Sequence, residues 1–486
     1  MKIRSVLYVM GNLLLLLGSA LMIPCLVALV TDLQPGAKVK EAPAFLGTAL
    51  LSAGVGLGAR YIFRDAAGQV RAREGFLIVG LAWVMISTVG MLPYLLVGAT
   101  SSVTDAFFET MSGFTTTGAS VFASFESIPP ALMFWRCMTQ WLGGMGIVVL
   151  SIALFPTLGV GGYRLLKAEA PGGVAYERER PRMTDTAKEL WRIYIVLSAV
   201  LVLLLMVSGM GPYDAVCHAF TTMSTGGFSN RIDSVAYYSS AFTQWIIIFF
   251  MFLAGMNFSL YANALRRDWR ALVRNTEWRS YVLVTLLAGL FGIVLLAPSG
   301  MGEKTVRDSF FQVISVMTTT GYATADYDAW PHALRLTLFL LMFCGGCMGS
   351  TAGGMKVARF VIYIKALARE IHRLLFPHAV RSIRLSKRVI PEPMVYNVFA
   401  FGFIFVAAFC LGSMTMALSG YDLETSISAS VAALGNIGPG LGEVGPTANW
   451  SHLPLMAKWV MSLLMLCGRL EMFSFLVLMS PWLWRR

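Results

Sequence analysis

Ten stretches of this chain are apolar over a length that matches a bilayer, approximately 6–30, 44–63, 76–98, 131–157, 190–210, 239–264, 280–298, 332–364, 393–419 and 453–484. A hydrocarbon core takes about 20 residues of helix to cross. Lipid offers no partner for backbone N–H and C=O groups, so only helices and closed barrels span it, and runs this long select the helix. Composition agrees: 57% of residues are hydrophobic and 13% charged, too few charges to clothe a soluble surface. A soluble enzyme, a disordered chain and a disulfide-stapled secreted domain are excluded. The seven cysteines sit in apolar stretches; Cys344 and Cys347 have redox-motif spacing but no βαβ surroundings, so they read as small buried side chains. Lys2 and Arg4 before an apolar run imitate a signal peptide, but the run continues to Val30. That is longer than an h-region of ~7–15 residues, and the segment is expected to stay as a first helix.

The net charge of +12 is a question of sidedness. With both termini inside, the cytosolic segments are 1–5, 60–75, 158–192, 265–279, 365–392 and 485–486, and they hold 27 of the 38 Lys and Arg residues. The outer segments hold Lys38, Lys40, Arg231, Lys304 and Arg307. This is the asymmetry the positive-inside rule demands. The basic loops fix orientation and touch anionic lipid, and docking of a cytosolic partner is equally open. No nucleic-acid partner is expected.

Between the long stretches lie four shorter apolar pieces, 104–118, 213–227, 307–321 and 424–438. Each offers about ten helix-compatible residues, ~15 Å, or half a membrane. Threading any of them across would flip the later loops and spoil the charge asymmetry, so all four are expected to be re-entrant from the outer face. They resemble one another. In the first three, Asp105, Asp214 and Asp308 lie thirteen residues before Gly118, Gly227 and Gly321; in the fourth, Thr425 takes the Asp position before Gly438. The unit is span, half-helix, tight loop, span, four times over. Irregular backbone at membrane depth needs protein or a water-filled cavity around it, so the loops are expected to meet at a centre. Each half-helix C-terminus carries about −0.5 of a charge, which favours a cation there. The carbonyls of the loops can replace an ion's hydration shell, and no ring of carboxylates in the loops suggests a divalent site.

The segments Phe107–Ala119, Gln140-Trp-Leu-Gly-Gly-Met-Gly146, Ser224-Thr-Gly-Gly-Phe228, Gly345–Gly354 and Gly468-Arg-Leu-Glu471 together resemble the Trk/Ktr/HKT superfamily of cation transporters, most closely the bacterial Trk-type potassium-uptake membrane subunit. The resemblance covers almost the whole chain. It implies an all-α membrane protein with four tandem span–half-helix–loop–span repeats around a pseudo-fourfold pore, preceded by two extra transmembrane helices. The expected divisions are 1–75 (extra helices), 76–160, 161–275, 276–390 and 391–486 (repeats). By motif match the potassium filter would comprise Thr116, Thr117 and Gly118; Thr225, Gly226 and Gly227; Thr319, Thr320 and Gly321; and Asn436, Ile437 and Gly438. In the family a serine in place of the first filter glycine goes with sodium transport in some plant members, so glycine at all four positions implies, by the resemblance, potassium over sodium. The resemblance further implies a bacterial cytoplasmic-membrane location, a homodimer and a cytosolic nucleotide-binding regulatory ring. Potassium is the cargo, and no organic cofactor is expected on this chain.

Two features fall below the expected filter. Five glycines in ten residues, with Gly345, Gly346, Gly349, Ser350, Thr351, Gly353 and Gly354 among them, interrupt the eighth stretch. Close helix packing would need fewer, so an unwound loop under the filter is expected, and the resemblance implies that it gates the pore. Arg469 lies about 16 residues into the last stretch, ~24 Å deep; it is either a structural ion pair with another helix or a cationic barrier on the ion path. Glu471 is off its face. Lys356 and Arg359 are expected to snorkel to the cytosolic interface. Three rivals remain: a sodium- or proton-coupled carrier, a sodium channel of the same fold, and an intramembrane enzyme. For the last, His218, His332, His372, His378 and His452 are too scattered to form a catalytic cluster.

Overall fold

The computed structural model describes residues 3–33, 40–66, 72–125, 128–158, 181–386 and 388–481. Most of the basic segment 158–192, Lys2, Lys38 and the terminal arginines lie outside the described residues.

All ten apolar stretches are helical. Six unbroken helices have the length and apolarity of a span: Ile3–Asp32, Ala42–Ile62, Arg73–Val97, Asp185–Val207, Thr276–Leu296 and Glu392–Leu418. Pro130–Leu158 adds 29 residues. The other three are broken. The eighth stretch unwinds after His332–Phe343 and resumes at Val357–Leu375, as its glycines predict. Two breaks were not expected. The stretch 239–264 is bent by 95° between Ala241–Ala254 and Phe258–Ala264, because Gly255 ends the first helix and Asn257 caps the second, its Oδ1 accepting from Ser259 N–H at 2.9 Å. The last stretch splits into Leu455–Arg469 and Phe473–Met479, with Glu471 and Met472 at positive φ. A small antiparallel hairpin, Arg384–Leu385 with Arg388–Val389, also appears in the segment 365–392.

The four short pieces form half-helices, Val103–Phe114, Pro212–Met223, Glu303–Met317 and Leu423–Gly435. At 1.5 Å per residue they reach about 18–23 Å, short of a span. Local chemistry starts them: Ser102 Oγ accepts from Asp105 N–H, Asp422 Oδ1 accepts from Thr425 N–H, and Pro212 opens the second. Each half-helix packs on the helices before and after it, and also on the second helix of the preceding unit. The pattern closes on itself, because the first half-helix rests on Leu455–Arg469 at the end of the chain.

The helices Ile3–Asp32 and Ala42–Ile62 pack on each other outside this ring. Glu41 ties them to it. Its buried carboxylate accepts from the N–H groups of Ala131 and Leu132, at 3.2 and 2.7 Å, at the start of Pro130–Leu158. An acid there satisfies orphan donors and suits the positive end of the helix dipole.

Candidate functional site

Each half-helix ends in the same way. The N–H of Thr117, Gly226, Thr320 and Ile437 bonds back five residues, to the carbonyls of Ser112, Thr221, Ser315 and Ala432, at 2.8, 2.8, 2.8 and 2.9 Å. The residue before each turns left-handed: Thr116 (φ 54°), Thr225 (53°), Thr319 (57°) and Asn436 (55°). Glycine is the usual choice at such a helix end. A β-branched threonine there is strained and persists only where the surroundings over-determine it. Two residues on, Gly118, Gly227, Gly321 and Gly438 have φ of 85°, 74°, 79° and 96°. The fourth loop, degenerate in sequence, therefore repeats the backbone of its siblings, because Asn tolerates the left-handed region.

The loops also interlock in a circle. A Cβ at Gly118 would collide with the carbonyl oxygen of Gly226, one at Gly227 with that of Thr320, one at Gly321 with that of Ile437, and one at Gly438 would come within 2.7 Å of that of Thr117. Asn436 Nδ2 closes the circle on Thr117 Oγ1 at 3.0 Å. All four glycines line one cavity of about 170 Å³, together with Ala119, Phe228 and Pro439. The residues singled out in the four loops are thus brought together.

Their outer strands are pinned to the half-helices at matching positions, four residues after Asp105, Asp214 and Asp308. Glu109 accepts from Ser120 Oγ and Val121 N–H, His218 Nε2 meets Ser229 Oγ at 3.2 Å, and Gln312 accepts from Thr324 N–H at 2.9 Å with its amide oxygen turned to it. In the fourth unit Ser428 Oγ takes this part, accepting from Leu441 N–H at 2.9 Å. The buried carboxylate of Glu109 is balanced by Arg136 at 2.5 Å. Sequence reasoning missed these residues, although their common distance from the Asp position was a signal.

Beneath the loops lies the unwound segment 344–356. It touches three of the four loops. Thr319 Oγ1 accepts from Gly353 N–H at 2.7 Å, Thr225 Oγ1 lies 3.3 Å from Thr351 Oγ1, and a Cβ at Gly353 would come within 2.8 Å of Asn436 Cβ. From the side it is held by the bend at 255–257: Cys347 N–H donates to the Gly255 carbonyl at 2.8 Å, and Phe258 N–H to that of Gly349 at 3.1 Å. From below, Glu277 accepts from Met348 N–H at 2.7 Å and Ala358 N–H at 3.2 Å. Gly345, Gly346 and Ser350 lie in the same fold of chain, with Ser350 Oγ bonded to the Cys347 carbonyl at 2.6 Å and a Cβ at Gly346 blocked 2.7 Å from the Gly255 carbonyl. Gly349 and Gly354 supply its two left-handed turns.

Arg469 is 2% exposed and joins this segment to the first unit, donating to the Thr351 carbonyl at 2.8 Å and the Gly143 carbonyl at 3.0 Å. Among the described residues it pairs with carbonyls and not with a carboxylate, unlike the ion-pair alternative. Glu471 instead pairs with Arg359 at 2.6 Å. The expected snorkelling of Lys356 and Arg359 is corrected: each is 6% exposed. Lys356 Nζ is drawn to the Ala352 and Gly353 carbonyls by its place at the end of the loop, and Arg359 is held by Glu471 and the face of Phe401 at 3.8 Å. The layer under the loops therefore gathers Lys356, Arg359 and Arg469 against Glu277 and Glu471.

A cation transport protein family matches residues 42–485. The Trk system potassium uptake protein TrkH of Salmonella typhimurium is 38% identical, with both chains covered completely. TrkG of Escherichia coli, also titled a Trk system potassium uptake protein, is 32% identical over 99% of each chain. Among solved structures, the crystal structure of the potassium transporter TrkH from Vibrio parahaemolyticus superposes with a TM-score of 0.91 at 34% identity, covering both chains completely. With a full-length match to transporters and not to enzymes, this chain belongs to the TrkH family of cation transport proteins.

Proposed function

We propose that this chain takes up potassium across the bacterial cytoplasmic membrane, through a filter made by 116–118, 225–227, 319–321 and 436–438. The observation that carries the reading is the single cavity lined by Gly118, Gly227, Gly321 and Gly438. Four half-helices end just below it, and their C-terminal dipoles favour a cation. The loop carbonyls stand in for water around a dehydrated ion. Thr116 Oγ1 is buried without a hydrogen-bond partner among the described residues, and a hydroxyl in that position suits the innermost ion.

On this reading the segment 345–354 is the gate. It lies under the filter, and Arg469 locks it in place while setting a positive charge in the path. The family resemblance adds a homodimer and a cytosolic nucleotide-binding ring that releases the lock. A second reading, a sodium- or proton-coupled carrier, draws on the three broken helices, a feature of alternating-access transporters. Flux that saturates at low ion concentration would favour it.

The test is potassium and sodium flux into liposomes holding this chain alone. Gly321→Ser places a Cβ against the Ile437 carbonyl, and is expected to lower the potassium-to-sodium ratio by about tenfold, the equivalent of ~1.4 kcal/mol. An unchanged ratio removes the filter assignment.

A further inference from the structure

The second loop is the one whose middle filter position has no side chain. Loops one, three and four carry Thr117, Thr320 and Ile437 there, and the second carries Gly226. In loops one and three the threonine hydroxyl turns back to Thr115 or Thr318, at 2.8 Å in both. Ile437 is wholly buried. At Gly226 the corresponding space is filled from outside the loop: a Cβ would fall on the side-chain amide of Gln140. Gln140 is fully buried on Pro130–Leu158, a helix of the preceding unit. Its Nε2 donates to the Gly226 carbonyl at 2.6 Å, and its Oε1 accepts from Phe228 N–H at 3.0 Å. Among the described residues none donates to the carbonyls of Thr117, Thr320 or Ile437.

One turn back on the same helix, Arg136 donates to the Ser229 carbonyl at 2.8 Å and lies over the Phe228 ring at 3.5 Å. It also pairs with Glu109, which grips the outer strand of the first loop. The two side chains thus form a buried ledge that carries residues 226, 228 and 229 and joins two quarters of the ring.

We propose that Gln140 is a positioning residue for ion selection. It replaces the side chain missing at Gly226 and fixes the direction of the one middle-position carbonyl that the protein itself holds. The inference rests on the filter reading above. A carbonyl that shares its lone pairs with an N–H donor is turned and weakened as an ion ligand, so the second quarter of the ring differs in field strength from the others. Discrimination between ions of unequal size depends on the number and field strength of such dipoles.

The experiment measures potassium and sodium flux in liposomes for Gln140→Leu, Gln140→Ala, Gly226→Thr and the double variant Gln140→Ala with Gly226→Thr, with Gly321→Ser as reference. Gln140→Leu keeps the bulk and removes both hydrogen bonds. It is expected to lower the potassium-to-sodium ratio by up to about tenfold while flux persists, in line with the loss of one or two hydrogen bonds. Gly226→Thr alone, driven against Gln140, is expected to lower the ratio too. The double variant, which restores the Thr-Thr-Gly pattern of loops one and three, is expected to regain most of the ratio lost in Gln140→Ala. A ratio within about twofold of the parent in Gln140→Leu overturns the proposal. If that chain is lost from the membrane fraction, the proposal is overturned equally by an unchanged ratio in Gly226→Thr, or by a double variant no better than Gln140→Ala. Where Gly321→Ser lowers the ratio and Gln140→Leu does not, the role of Gln140 falls alone. Where Gly321→Ser leaves it unchanged, the filter reading falls and the proposal with it.

Discussion

The ring of loops and the layer beneath it are built by opposite methods. The ring repeats one backbone four times, with a left-handed residue at the same place (Thr in three loops, Asn in the fourth), the same return hydrogen bond and the same glycine. The layer below is made of parts that occur once: the unwound 344–356, the bend at 255–257 and the break at 470–472. The ring is braced by short hydrogen bonds on its outer side. The layer holds three buried cations against two carboxylates, and among the described residues Arg469 Nε and one Arg359 nitrogen are buried there without hydrogen-bond partners. Repetition gives four interlocked loops of one backbone form. Single-copy packing lets the layer change without the same change being repeated in four places; buried polar atoms without hydrogen-bond partners among the described residues occur in both regions, Thr116 Oγ1 and Asn436 Oδ1 in the ring as well as Arg469 Nε below it.

Three substitutions press on that contrast. The largest effect is expected from Glu471→Ala, which strips the buried Arg359 of its counter-charge. Removing one partner of a buried pair costs about 3–5 kcal/mol, so thermal unfolding in detergent is expected at a clearly lower temperature, whereas an equal loss from Arg369→Ala, whose partners are half exposed, would mean the lower layer is not special. Next, Arg469→Ala removes the two bonds that tie the loop to the first unit. Basal potassium flux is expected to rise about tenfold, as the loss of charged hydrogen bonds of ~1.5 kcal/mol or more implies, with the potassium-to-sodium ratio unaltered. A changed ratio would show that ring and layer are not separate devices.

The smallest effect concerns the outer clasp between the third and fourth units. Asp328 accepts from Gly442 N–H at 3.2 Å and lies 3.8 Å from Arg335, which also pairs with Glu424. Burial pushes the Asp328 carboxyl up from 3.8 to about 6, against the pull of Arg335 and with help from Asp326 and Glu424. A raised acid is stabilised in its protonated form. Its contribution is therefore complete below pH 3.8 and is lost as pH rises through about 6. Unfolding temperatures at pH 5 and pH 7.5 are expected to differ less in Asp328→Asn than in the parent; an identical difference would remove Asp328 from the clasp.

Much of the ring was legible because lipid leaves few choices. The short apolar pieces could not span, the charge asymmetry placed their ends, and the Asp-to-Gly spacing tied three of them together. Asn436 preserved the left-handed turn where composition had drifted. The lower layer was half legible. Five glycines announced the unwound segment, and depth singled out Arg469. What stayed hidden depended on partners distant in sequence. Lys356 and Arg359 look like interface anchors until Glu471 and the loop carbonyls are brought beside them. The bend at 255–257 had a local signal, Gly255 followed by Asn257, that a run of apolar residues masked. Gln140 lay in a motif that carried the resemblance, but its task is defined by the absence of a side chain 86 residues later.

The segment under the ring exists in one copy for four strands. A conduit assembled from four separate subunits has four identical barriers, which can withdraw one after another and leave graded conductance. On the proposed reading a single obstruction serves the whole passage, and it is tethered to three quarters of the ring and, through Arg469, to the unit that builds the fourth. If that segment is the gate, opening is an indivisible event, and recordings from one molecule are expected to jump between two current levels without sublevels.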